Sequence, residues 1–174
     1  PPVHTELRIV DHDNAAVGPN ERGEICIKGP NIMKGYWNRP EATANAIDEM
    51  GWFHSGDVGY IDEEGYLYIC DRLKDMVITG GENVYPAEVE SVLFEHPAIT
   101  EVAVIGLPDE KWGEAVTAVA AVTDGSDLTL EVLRDFAVSK LARYKLPSRL
   151  HIVEALPRNP AGKVLKFELR ETLA

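Results

Sequence analysis

Apolar and polar residues alternate in short runs over the first part of the chain, and each run is closed by turn-forming residues. Alternation with a period of two places one face of a segment inward and the other outward, so Thr5 to Val10, Gly23 to Lys28, Val58 to Ile61 and Tyr66 to Cys70 are predicted strands. Asp62-Glu63-Glu64-Gly65 is the hairpin between the last two. A single short helix interrupts them over Pro40 to Ile47, with Pro at the first helical position, an acid behind it and Gly51 beyond its end.

After Arg72 the pattern changes to strands alternating with amphipathic helices. Asp75 to Thr79 is a predicted strand and Gly80-Gly81-Glu82-Asn83 a turn. Pro86 to Glu95 is a helix with Val89, Val92 and Leu93 on one face, stopped by Pro97. Ile99 to Leu107 and Glu114 to Thr123 are Val- and Ala-rich strands bracketing a loop. A helix over Leu130 to Leu141 has Thr129 as its cap, and Arg149 to Glu154 is a last strand. The loop Pro157 to Gly162 leads into a closing helix from about Leu165. The fold class expected is α+β: a β-rich piece over residues 1–72, then a small sheet flanked by helices over 73–174.

Seventeen basic residues against twenty-nine acidic ones leave a net charge of -12, which repels nucleic acid and anionic lipid. No apolar run is long enough to span a bilayer and no leader pattern is visible, so a cytoplasmic location is expected. Cys26 and Cys70 fall in alternating apolar runs without Cys-x-x-Cys spacing and are expected to be buried, reduced thiols. The start at Pro1-Pro2, without Met and directly before a strand, fits an excised piece of a longer protein.

Several familiar chemistries fail on their spacing. Gly162-Lys163 is followed by Val164 instead of the Ser or Thr of a phosphate-binding loop. Asp11-x-Asp13 lacks the glycine and the bidentate Glu of a calcium loop. The histidines show no pairing at metal-ligand spacings, and no Gly-x-Ser-x-Gly elbow is present.

Four polar clusters lie at junctions between apolar elements. In Gly51-Trp52-Phe53-His54-Ser55-Gly56-Asp57, a carboxylate at a strand mouth can accept both hydroxyls of a ribose or simply form a turn. Asp71-Arg72-Leu73-Lys74-Asp75 is a solvated linker suited to a hinge, with an Arg able to hold a phosphate or ribose oxygen. Thr79-Gly80-Gly81-Glu82-Asn83 is a hairpin whose paired glycines leave a backbone channel for a thin ligand. Leu156 to Lys166 carries Lys163 on a proline-stiffened loop, either a surface lysine or a point charge delivered to a phosphate.

In this order and spacing, together with Lys34-Gly35-Tyr36-Trp37-Asn38-Arg39-Pro40-Glu41-Ala42-Thr43, the clusters resemble the late motifs of the adenylate-forming superfamily. That superfamily contains acyl-CoA synthetases, coumarate-CoA ligases, luciferases and peptide-synthetase adenylation domains, and bacterial fatty-acyl-CoA synthetases look most similar. The resemblance implies that ATP and a carboxylic acid form an acyl-adenylate, from which a thiol, usually of CoA, displaces AMP. It implies that residues 1–72 end the β-barrel part of a large domain and that 73–174 are its mobile C-terminal domain. It further implies that Asp57 and Arg72 bind the ribose and that Lys163 stabilises charge during adenylation. Lys74 is then the hinge, and Gly80 and Gly81 line the pantetheine tunnel. Trp112 matches a position that touches the CoA nucleotide in some relatives, Tyr144 is placed to stack on its adenine, and Leu146 stands where some relatives carry a base. Magnesium is implied with ATP, but its acidic site, the pyrophosphate loop and the acyl pocket are not among these residues, so the piece alone is expected to be inactive and to self-associate through an exposed barrel edge. A carrier-protein thiol as acceptor, and a non-catalytic interaction module, are the alternatives.

Overall fold

The computed structural model describes residues 3–174, so Pro1 and Pro2 lie outside the described residues. The chain divides into two compact units between Lys74 and Asp75. In the first, β1 (Glu6–Val10), β2 (Gly23–Lys28), β3 (Phe53–Ile61) and β4 (Leu67–Arg72) form an antiparallel sheet in sequence order. Ile9, Val10, Ile25, Cys26 and Val58 are its buried hydrophobic residues. The β3–β4 turn is closed by Asp62, whose Oδ1 accepts the N–H groups of Glu64 at 3.1 Å and Tyr66 at 2.8 Å. Helix α1 (Pro40–Ala46) has no buried residue. Thr43 anchors its entry, donating its hydroxyl to the Arg39 carbonyl and accepting the Tyr36 N–H, both at 2.9 Å.

Two elements run further than alternation alone suggests. β3 starts at Phe53, so His54 to Asp57 are strand and not strand mouth, and β4 continues through Asp71 and Arg72. The solvated linker is therefore confined to a 3₁₀ turn at Leu73–Asp75. Cross-strand hydrogen bonding overrides the local preference of charged residues for loops. Cys26 is fully buried, whereas Cys70 is only half-buried, because among the described residues β4 has a neighbour on one side alone.

In the second unit, β7 (Ile99–Asp109) and β8 (Gly113–Val122) form a long antiparallel pair, and β9 (Arg149–Ile152) adds to β8 in parallel. β5 (Val77–Thr79) and β6 (Glu82–Val84) are a short hairpin joined to β8 at Thr79 and Gly113. The turn predicted over four residues is tighter: only Gly80 and Gly81 lie outside the strands, at φ of 60° and 84°, a region open to glycine.

Alternate residues of β7 and β8 enter two cores, as the pleat requires. Val104, Val116, Ala118 and Ala120 pack with Val89 and Leu93 of α2 (Pro86–Phe94) and Leu133 and Ala137 of α3 (Leu130–Ala137). Ala103, Ile105, Leu107 and Val119 pack with Leu156 and with Leu169 of α4 (Lys166–Leu173). The helix predicted to reach Leu141 ends at Ala137, and a separate turn returns Leu141 to the core through its N–H to the Ala137 carbonyl at 3.0 Å. No helix among the described residues is long and apolar enough to cross a membrane.

Candidate functional site

In the first unit, Asp57 and Arg72 are direct partners across β3 and β4, and Arg72 Nε lies 3.0 Å from Asp57 Oδ1. Both remain partly exposed, so each keeps hydrogen-bonding capacity for a ligand. Lys74, two residues on, is exposed in the 3₁₀ turn, and no partner holds its amine among the described residues.

Beside this pair lies a polar row that linear spacing conceals. Arg8, Cys26 and His54 face one another across β1, β2 and β3. Glu24 binds His54 Nδ1 at 2.7 Å through one oxygen and accepts the Gly56 N–H at 3.0 Å through the other, while Cys26 Sγ is 3.5 Å from the same ring nitrogen. Glu24, Cys26 and His54 are the one group among the described residues able to hold a metal ion. The Arg8 guanidinium also interacts with Cys26 and adds positive charge beside the group, so a hydrogen-bonded network is the better account. Burial, then the Glu24 charge, pushes the Cys26 thiol up to about 11 and keeps it protonated. Burial raises Asp48, but the N–H groups of Trp52 and Met50, with Arg8 and His54, outweigh it and hold its carboxyl below the usual range.

In the second unit, Gly80, Trp112, Tyr144 and Leu146 line a pocket of about 330 Å³ together with Glu82, Arg134 and Arg143. Gly80 donates its N–H to the Trp112 carbonyl at 2.8 Å, and a β-carbon on Gly80 would stand 2.9 Å from the Trp112 ring. Trp112 is fixed in turn by Asp109, whose Oδ1 accepts the N–H groups of Lys111 and Trp112 at 3.1 Å. These two hydrogen bonds, with Arg149 at 3.0 Å, keep the Asp109 carboxyl below its ordinary value. Leu146 is buried in the pocket floor, and positive charge comes instead from Arg143, beside Tyr144, and from Arg134, which donates to the Pro147 carbonyl at 2.5 Å. Neither arginine lies in a glycine or proline cluster, so no local motif marks it. Gly81 is exposed at the same turn and does not line the pocket.

Lys163 stands elsewhere in this unit. Its loop is closed by Asn159, whose Oδ1 accepts the N–H groups of Ala161 at 3.0 Å and Lys163 at 2.9 Å, and whose own N–H goes to the Lys163 carbonyl at 2.9 Å. Arg158 braces the Gly162 carbonyl at 2.7 Å. The backbone is thus held while the side chain is exposed, and no partner takes its amine among the described residues. Leu156 and Val164, at either end of the loop, pack into the α4 core, whereas Val116 and Leu146 of the pocket belong to the α2–α3 core. The lysine and the pocket therefore belong to opposite faces of one sheet.

Residues 88–163 match the AMP-binding enzyme C-terminal domain, and residues 1–37 match the AMP-binding enzyme model. The chain belongs to the AMP-binding enzyme family. A long-chain-fatty-acid–CoA ligase, FadD13 of Mycobacterium tuberculosis, is 55% identical over 91% of this chain and 31% of its own length. ATP-bound MatB from Rhodopseudomonas palustris superimposes with a TM-score of 0.89 at 42% identity, covering 97% of this chain and 34% of that one. An o-succinylbenzoate CoA synthetase from Bacillus subtilis, in complex with its acyl-adenylate intermediate, gives 0.86 at 42% identity, with the same 97% and 34% coverage. The chain thus spans about a third of the length of these family members.

Proposed function

We propose that this chain is the carboxy-terminal portion of an ATP-dependent acid–thiol ligase that makes an acyl-adenylate and passes the acyl group to CoA. The observation that carries this is the two-faced second unit: on one side an amine that no partner holds among the described residues, and on the other a pocket lined by Gly80, two arginines and two aromatic rings. In the first half-reaction a carboxylate oxygen attacks the α-phosphorus and the bond to pyrophosphate breaks. Lys163 neutralises the charge gathering there, a contribution of roughly 3 kcal/mol by analogy with oxyanion donors. Asp57 accepts from the ribose hydroxyls, and Arg72 donates to them.

In the second half-reaction the thiolate attacks the acyl carbon and AMP leaves. Rotation about Lys74 exchanges one face of the unit for the other, so two chemistries use one nucleotide. Gly80 and Gly81 border the path of the pantetheine arm, and Trp112 and Tyr144 offer faces for the nucleotide. Arg143, which forms no ion pair among the described residues, suits the phosphates of CoA better than a carrier protein, whose prosthetic arm brings no adenine. The acid is a fatty acid, on the similarity to FadD13. Magnesium accompanies ATP, and the reaction belongs in the cytoplasm. The same reading has β4, with Tyr68 and Ile69 exposed at the sheet edge, pairing with a second copy when the 174 residues stand alone.

The test is made on the longer parent protein with fatty acid, ATP and CoA. AMP release is expected, and Lys163→Ala should lower acid-dependent ATP–pyrophosphate exchange by about 100-fold or more while transfer from a supplied acyl-adenylate continues. The 174 residues alone should show no exchange. Unimpaired exchange in Lys163→Ala would refute the assignment, and no turnover by the wild-type parent would favour the interaction module.

A further inference from the structure

We infer that Glu114 is a positioning residue that holds the Gly80–Gly81 turn in place for the thiol, and that Gly106 lacks a side chain to admit it. The inference rests on the proposal that this turn borders the thiol path. The base of the hairpin β5–β6 is anchored in the core by fully buried Val77 and Val84, but its tip has few backbone pairings: among the described residues β6 pairs with β5 alone, and β5 meets β8 at the single pair Thr79 and Gly113. Two-stranded hairpins are marginal by themselves. Two consecutive glycines at the tip widen the set of conformations open to it.

Two further ties restrain the hairpin. The Gly80 N–H reaches the Trp112 carbonyl, and the Ile78 N–H reaches Glu114 Oε2 at 2.7 Å. The second is charge-assisted and is the stronger type. Glu114 forms no ion pair among the described residues, so its carboxylate is committed to this backbone amide and not to a surface cation.

Gly106 supplies an independent observation. It sits inside β7 between buried Ile105 and Leu107, where a glycine weakens a strand, and no positive φ calls for one. A β-carbon there would lie 2.6 Å from Glu114 Oε1 and 2.8 Å from its carboxyl carbon. The missing side chain is the space the carboxylate occupies on its way to Ile78.

The same arrangement can be broken from either end. In the parent ligase, Glu114→Ala and Gly106→Ala should each slow acyl transfer from supplied adenylate to CoA roughly tenfold or more, as a misplaced channel wall would. ATP–pyrophosphate exchange should stay near wild type in both, and Glu114→Gln, which keeps an acceptor for Ile78, should restore transfer. In the 174-residue chain, hydrogen exchange at Ile78 and Gly80 should accelerate in the two alanine variants and not in Glu114→Gln. Unchanged exchange at Ile78 in Glu114→Ala overturns the positioning role, and equal losses in both half-reactions overturn its selectivity. A wild-type parent that forms adenylate but no CoA thioester removes the thiol path itself, and amide exchange then still decides whether Glu114 holds the turn.

Discussion

Gly80 and Trp112 are locked together: the glycine N–H meets the tryptophan carbonyl at 2.8 Å, and the ring fills the space a glycine side chain would need. The glycine is required twice over, for its φ of 60° and for this contact. Gly81, at 84°, has nothing within 4 Å of an added β-carbon. Gly81→Ala should therefore cost only the left-handed backbone penalty, about 1–2 kcal/mol. Gly80→Ala should cost more, and thermal unfolding of the chain checks the order, at roughly 4–8 °C per kcal/mol for a unit of this size.

Arg72→Ala separates stability from binding. The Arg72–Asp57 pair is partly exposed, so its loss should change stability by less than about 1 kcal/mol. If the pair holds a ribose, the parent's KM for ATP should rise about tenfold or more, from charge-assisted hydrogen bonds of about 1.5–3 kcal/mol. An unchanged KM would remove the pair from the nucleotide site.

Asp109 makes the Trp112 turn sensitive to acid in a defined direction. Its carboxyl lies below the ordinary 3.8 because the Trp112 and Lys111 N–H groups and Arg149 favour the charged form. A depressed folded value means that the stabilisation is complete above 3.8 and is lost as pH falls through the lower folded value. The Trp112 amide resonance should hold steady down to that region and then move. Asp109→Asn should flatten the response, and a shift near neutrality would contradict the assignment.

The two thiols should differ in reactivity. Cys26 is fully buried and pushed up to about 11, first by burial and then by Glu24, whereas Cys70 is half-buried on the edge strand. Iodoacetamide at neutral pH should label Cys70 first, and Cys26 only after unfolding. Mass spectrometry of the adducts decides it, and rapid double labelling of the folded chain would count against the described core.

Much of this protein was legible from local pattern. Period-two alternation gave β1, β2 and the β3–β4 hairpin, helical spacing gave α2, and Pro and Gly marked most boundaries, because each signal lies within a few residues of the chain. The glycine pair and the Lys163 loop also announced themselves as local clusters. Pairings over distance were not legible. Asp57 opposite Arg72, Cys26 opposite His54, and β9 parallel to β8 depend on strand register, which no short window contains. Only the packed unit brought Arg134 and Arg143 to the pocket, and only there did Gly106 acquire a reason, the Glu114 carboxylate lying over it. Local sequence determined which backbone each segment adopts, while burial of both sheet faces decided which side chains meet, because a core is closed by residues far apart in the chain.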